Sequence, residues 1–163
     1  MPSVDTDDLA VVPAGAHDIA GVIDLIGRVF AEYRFVWDPR VEVPDLLAFD
    51  RHYVAPQGAF FVVRRNGRVV GSVGVERAHE GVAELHRLYL DTDLRGRGRG
   101  RALVLAILDW CKGAGVGHLF LWSDTRFDRA HALYERMGFR QTGERELPGD
   151  VNNTREFRYD RSL

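Results

Sequence analysis

The stretch Leu94-Arg95-Gly96-Arg97-Gly98-Arg99-Gly100-Arg101-Ala102-Leu103 constrains this chain more than any other feature. Three alternating glycines let a backbone approach something bulky, and four arginines in seven residues mark that object as anionic. A strand-like segment, Val82 to Leu90, lies just upstream, and a nearly all-apolar helix candidate, Ala102 to Trp110, lies just downstream. A glycine loop between a strand and a helix N-terminus presents unpaired N–H groups to phosphate, aided by the helix dipole. The stretch therefore reads as a phosphate cradle.

Two familiar glycine motifs do not fit. A nucleoside-triphosphate loop needs G-x-x-x-x-G-K-[ST], and the only lysine is Lys112. A dinucleotide fingerprint needs G-x-G-x-x-G or Ala, but Arg101 and Leu103 stand three residues after Gly98 and Gly100. An arginine-glycine RNA-binding tract and a solvated tight turn are the remaining readings of the residues alone. RNA tracts of this kind sit in low-complexity sequence, whereas this one is short and flanked by core-like elements. A formal net charge of −2 makes the basic loop a local feature and speaks against a general nucleic-acid binder.

The pattern that does fit is R-x-x-G-x-G, carried by Arg95, Gly98 and Gly100. A second segment, Ala130-His131-Ala132-Leu133-Tyr134-Glu135-Arg136-Met137-Gly138-Phe139, has the form A-x-x-L-Y-x-x-x-G-F. Together they resemble the GCN5-related N-acetyltransferases, over nearly the whole chain from about Leu9 to Tyr159. The resemblance implies acetyl-CoA as co-substrate, with its pyrophosphate on the Gly96, Arg97, Gly98, Arg99, Gly100 and Arg101 backbone. It also implies that the Leu88, Tyr89 and Leu90 backbone pairs with the pantetheine arm and the thioester carbonyl, a form of strand addition at an open edge. The arginine side chains, Arg95 among them, would add charge attraction to the phosphates.

Acyl transfer to an amine needs a neutral amine, stabilisation of the oxyanion, and a proton for the leaving thiolate. Tyr134 occupies the place where the family's tyrosine protonates that thiolate. Its alternative is a half-buried aromatic packed near Ala130 and Phe139. Glu84 and His86, two apart on one strand, project to one face. Glu84 ranks first as general base, since many relatives carry a strand glutamate there, and His86 is the alternative. Cross-strand pairing for Glu84 and a hydrogen-bonded core-edge role for His86 stay open.

Two positions depart from the family pattern. Phe127 stands where many relatives have asparagine, and Trp122 where some peptide N-terminal acetyltransferases use glutamate. The second departure weakens a protein N-terminus as acceptor. Asp124 and Arg126 lie close enough in sequence to take over the lost polar functions. Residues 32–51 carry a modest acidic excess interleaved with Tyr33, Phe35, Trp37 and Phe49, which suits a cationic small-molecule amine with some apolar bulk.

The element order predicts an α/β chain with a mixed sheet of six or seven strands and about four helices. Strands are expected at 9–13, 60–65, 68–76, 82–90, 119–122, 139–143 and 154–160, with Asn66-Gly67 as a two-residue hairpin turn. Helices are expected at 17–33, 45–53, 98–113 and 126–137, with an irregular, proline-broken stretch at 34–44. The expected organisation is a flexible tail over residues 1–8 and one acetyltransferase domain over 9–163, large enough to bury roughly 70% of its unfolded surface. A single cysteine, Cys111, excludes an internal disulfide and suits a reducing compartment, so the cytoplasm is the expected location. Met1 to Asp8 is acidic without an apolar core, and no apolar run approaches membrane-spanning length. Neither a metal nor a membrane nor a nucleic acid is expected as a partner. The exposed C-terminal strands offer an edge for a homodimer, as in many relatives. A non-catalytic CoA-binding sensor and an RNA-binding module are the rival functions.

Overall fold

A computed structural model describes residues 9–163; the expected tail over 1–8 lies outside the described residues. The chain runs β1 (Val11–Pro13), a 3-10 turn (Ala16–Asp18), α1 (Ile19–Glu32), then three one-turn helices, α2 (Pro39–Glu42), α3 (Pro44–Leu47) and α4 (Phe49–His52). It continues through β2 (Gly58–Arg65), β3 (Arg68–His79), β4 (Val82–Leu90), a second 3-10 turn (Thr92–Leu94), α5 (Arg99–Gly113) and β5 (His118–Asp124). It ends with α6 (Asp128–Arg136), β6 (Arg140–Glu146) and β7 (Arg155–Ser162).

One seven-stranded sheet has the order β1-β2-β3-β4-β5-β7-β6. Among the described strands only β4 and β5 pair in parallel, and α5 is the crossover that joins them. Asn66 and Gly67 turn β2 into β3 with φ of 52° and 77°, the left-handed pair that a tight hairpin requires. The apolar stripe of α1 (Val22, Leu25, Ile26, Phe30) packs with Leu46, Tyr53, Phe60 and Val62 on one face. On the other face, Leu103, Val104 and Ile107 of α5 meet Val73, Leu85, Leu121 and Tyr159. Cys111 is wholly buried in that second layer, and burial pushes its thiol up to about 11. It is a packing residue.

Two segments differ from the sequence reading. The stretch read as irregular holds α2, started by Pro39 at its first turn and by Asp38, whose carboxylate accepts the Arg40 amide at 3.0 Å. The helix expected over 45–53 is instead α3 and α4, separated at Ala48, whose φ of −120° and ψ of 42° leave the helical region. Apolar spacing sees neither break, because Leu46 and Phe49 stay buried on one side throughout.

Asp18 ties the start of α1 to the sheet. Its carboxylate accepts the Gly15 amide at 3.0 Å and two guanidinium nitrogens of Arg64 at 2.8–3.0 Å. Burial opposes its charge, but the bonds from Arg64 and Gly15 outweigh that cost and hold the carboxyl below its ordinary value. The resulting stability is present above the unfolded carboxylate pKa and is lost as pH falls through the lower folded value. Asp18→Asn is therefore expected to cost about 2 kcal/mol at pH 7. In urea denaturation at pH 7 and pH 3, the gap between native and variant should shrink at the lower pH.

Candidate active site

β4 keeps company with β5 only from Val82↔His118 to Glu84↔Phe120. Beyond Glu84 the strands part, and β5 continues against β7 as far as Asp124↔Glu156. A bulge turns β4 away: its register against β3 shifts between Gly74↔His86 and Ser72↔Tyr89, and Arg87 sits at φ 56°. A left-handed arginine costs roughly 1–2 kcal/mol. Two contacts hold it, the Arg87 guanidinium on Asp45 (Nη2–Oδ1 2.5 Å) and the buried Ser72 hydroxyl donating to the Arg87 carbonyl at 2.8 Å. The β4 edge over residues 85–90 is thus turned toward open space.

Two clefts of about 450 Å³ and about 460 Å³ open there, and they share Leu88, Tyr89, Phe127 and Ala130 as a common wall. Their charges are opposite. The second is lined by Arg95, Arg101, Arg129 and Arg136 with no carboxylate, together with Gly96, Gly98 and Gly100. Gly96 and Gly98 adopt φ of 78° and 76°, which a side chain would strain. The first backbone bond of α5 runs from the Ala102 amide to the Gly98 carbonyl at 3.0 Å, so the amides of Arg99, Gly100 and Arg101 precede the helical ladder and point out of its N-terminus. A Cβ on Gly100 would stand 3.0 Å from Leu133 and 3.4 Å from Leu90, so glycine there brings α5, α6 and β4 together.

The arginines divide. Arg95 grips the loop itself, donating to Glu32 at 2.7 and 2.8 Å and to the Leu90 carbonyl at 3.0 Å. Arg99 reaches back to the Leu9 carbonyl at 3.0 Å, and neither it nor Arg97 lines the cleft. Arg129 and Arg136, one α6 turn on either side of Leu133, line it instead. Sequence reading missed them because α6 looks like an ordinary amphipathic helix with a charged outer face.

The first cleft is lined by Glu42, Asp45, Glu76, Glu84, Asp124 and Glu156 against Arg87 and Arg145. Glu84 and His86 do share a face, Oε2 to Nε2 at 2.8 Å. They lie on the α1 side of the sheet, since His86 Nδ1 meets the Tyr53 hydroxyl at 2.9 Å, while neighbouring Leu85 packs on the α5 side. Tyr134 arrives from the opposite face, on α6, its ring 5.8 Å from Phe139 and 5.7 Å from Tyr159. Its hydroxyl makes no hydrogen bond among the described residues, and burial pushes its pKa up, so it stays protonated through neutral pH. Tyr134, Glu84 and His86 all line this cleft.

Phe127 joins an aromatic group with Tyr33 and Tyr89, at 4.9 and 6.3 Å, where the two clefts meet. Asp124 and Arg126 pair with each other at 2.7 Å, and Arg126 also donates to the Asn152 carbonyl and lies 4.0 Å from the Phe35 ring. They fasten the β6–β7 loop over the cleft. Of the aromatics in 32–51, Phe35 and Tyr33 reach the clefts, while Phe49 and Trp37 belong to the core.

The model of the acetyltransferase (GNAT) family matches residues 26–139. The chain belongs to that family. It is 29% identical over 128 residues to an uncharacterised N-acetyltransferase of Escherichia coli, covering 76% of this chain and 77% of that one. It is 35% identical over 99 residues to the N-alpha-acetyltransferase RimI of Mycobacterium tuberculosis, covering 59% and 61%. The N-acetylaspartate synthetase of Danio rerio is 33% identical over 110 residues, but the match spans only 39% of that longer protein and 64% of this chain. In fold, a GNAT-family acetyltransferase structure from Staphylococcus aureus superposes with a TM-score of 0.83 at 22% identity, covering 95% of this chain and 99% of that one. The protein is thus an acyltransferase of a family that uses acetyl-CoA. No described helix is long and apolar enough to cross a membrane.

The arginine cleft fits an anionic co-substrate: it has glycines at positive φ, outward amides and the guanidinium groups of Arg101, Arg129 and Arg136 beside the Glu32-paired Arg95. Replacing Arg129 and Arg136 together with alanine should weaken coenzyme A binding about tenfold or more and flatten its salt dependence, as titration calorimetry at two ionic strengths would measure.

Proposed function

We propose that this GNAT enzyme moves an acetyl group directly from acetyl-CoA to a cationic small-molecule amine within a ternary complex. The observation that carries the reading is the pair of oppositely charged clefts meeting at the parted β4 edge. An anion enters one side and a cation the other, and only the gap between β4 and β5 connects them.

Acetyl-CoA supplies the activated acetyl thioester. In this reading the backbone of residues 96–101 holds the pyrophosphate, with Arg101, Arg129 and Arg136 adding charge. The Leu88, Tyr89 and Leu90 edge takes the extended arm and donates to the thioester carbonyl, where negative charge develops. Glu42 and Glu76 draw the ammonium form of the acceptor, and Phe35, Phe127 and Trp122 cover its apolar body. Glu42 forms no ion pair among the described residues: burial first, and then Asp150, push its pKa up, and the side-chain amide of Asn152 lies 3.5 Å away. The Glu84–His86 pair takes the proton that makes the amine nucleophilic, and Tyr134 delivers one to the departing thiolate from the other face of the sheet.

Initial rates with acetyl-CoA and amine both varied should give intersecting lines; parallel lines would contradict direct transfer. Tyr134→Phe should lower kcat by roughly 10²-fold with little change in the KM for acetyl-CoA. An unchanged kcat removes Tyr134 from the acid role.

A further inference from the structure

A chain of short contacts runs from the cleft into the α1-side core. Glu84 Oε2 lies 2.8 Å from His86 Nε2, and His86 Nδ1 lies 2.9 Å from the Tyr53 hydroxyl. That hydroxyl in turn donates to Asp45, whose carboxylate also receives Arg87. Tyr53 is almost wholly buried, and burial together with the Asp45 charge pushes its pKa up. Asp45 is ionised: burial opposes its charge, but the Arg87 hydrogen bond and charge hold its pKa below the ordinary value.

The directions of these bonds are fixed by counting hydrogens. A phenol has one proton, and an ionised carboxylate accepts only, so the Tyr53 proton goes to Asp45. The Tyr53 oxygen must then accept from His86, which puts a proton on Nδ1. A neutral ring protonated at Nδ1 leaves Nε2 as its proton-accepting nitrogen, beside the Glu84 carboxylate at 2.8 Å. Glu76, directly across from Glu84 in the ladder, is engaged elsewhere, its carboxylate 2.7 Å from His52.

We propose that Asp45, acting through Tyr53, locks His86 with its proton on Nδ1, so that Nε2, next to the Glu84 carboxylate, is the nitrogen that accepts the acceptor's proton. This rests on the reading of Glu84 and His86 as the base. One N–H bond of the acceptor ammonium breaks, its proton moves to His86 Nε2, where the Glu84 carboxylate stabilises the resulting imidazolium, and its electron pair remains on nitrogen to attack the acetyl carbonyl. Asp45 and Tyr53 are positioning residues: they act through His86, fixing which nitrogen faces the acceptor. The same Asp45 holds the Arg87 bulge, so one carboxylate sets both the opening of β4 and the orientation of its base.

The test reads the ring directly. Long-range ¹H–¹⁵N correlation spectra of the full protein, with the His86 signals assigned by their loss in His86→Gln, report which nitrogen carries the proton. The expected native result is a proton on Nδ1 at every pH at which the ring is observed. Tyr53→Phe should move the neutral ring to the Nε2–H form and lower kcat about tenfold, leaving the KM for acetyl-CoA unchanged. Asp45→Asn, which removes the charge that captures the tyrosine proton, is the second variant should Tyr53→Phe be poorly folded, and the same tautomer change is expected. A native neutral ring protonated at Nε2 overturns the proposal, and so does native kcat in a Tyr53→Phe enzyme whose tautomer has switched. Failure of the acetyltransfer reading would instead appear as absent turnover in the native protein with the Nδ1–H signature intact.

Discussion

The left-handed turn of β4 at Arg87 is where geometry becomes chemistry in this protein. A parallel strand pair that continued past Glu84↔Phe120 would close the sheet, satisfy the backbone of residues 85–90 and leave no place for a guest. The bulge prevents that. Its cost in backbone strain is offset by the Asp45 ion pair and the Ser72 hydrogen bond. Once β4 has turned, an unpaired edge, two clefts and access from both sheet faces follow without further devices.

The charges are then distributed by topology. β4 leads directly into the glycine loop and the N-terminus of α5, so outward amides and the positive end of a helix fall on one side of the gap. The one-turn helices α2 to α4 and the β6–β7 loop lie on the other, bringing Glu42, Asp45 and the Arg126-fastened loop with them. In the proposed function an anionic donor and a cationic acceptor are separated until their reacting atoms meet at the wall the clefts share, Leu88, Tyr89, Phe127 and Ala130. In that function the apolar and aromatic side chains there lower the local dielectric and strengthen the fields of the groups around them.

Much of this was legible in the sequence because it is local. The hairpin at Asn66-Gly67, the strand–glycine loop–helix succession and the Leu133-Tyr134 signature each lie within one short window, where periodicity and glycine placement speak directly. What was not legible is what depends on distant partners. Arg95, read from the sequence as a cofactor contact, lines the arginine cleft, but its ion pair with Glu32, 63 residues away, carries no local signal. Arg129 and Arg136 read as solvated charge and line the arginine cleft. Tyr53 and Asp45 carry no motif at all, and their link to His86 exists only because α3 and α4 fold over the face of β4. The break at Ala48 escaped because burial, not backbone conformation, sets the apolar pattern.

The division of charge across the β4 gap is the central claim, and acceptor preference tests it most directly. Two primary amines of equal size, one bearing a second ammonium group and one a carboxylate at the far end, are to be compared by kcat/KM at saturating acetyl-CoA. Preference for the dication by about tenfold or more, one charge interaction of ~1.4 kcal/mol in the acceptor cleft, is the predicted result. Equal use of both, or preference for the carboxylate, would contradict it.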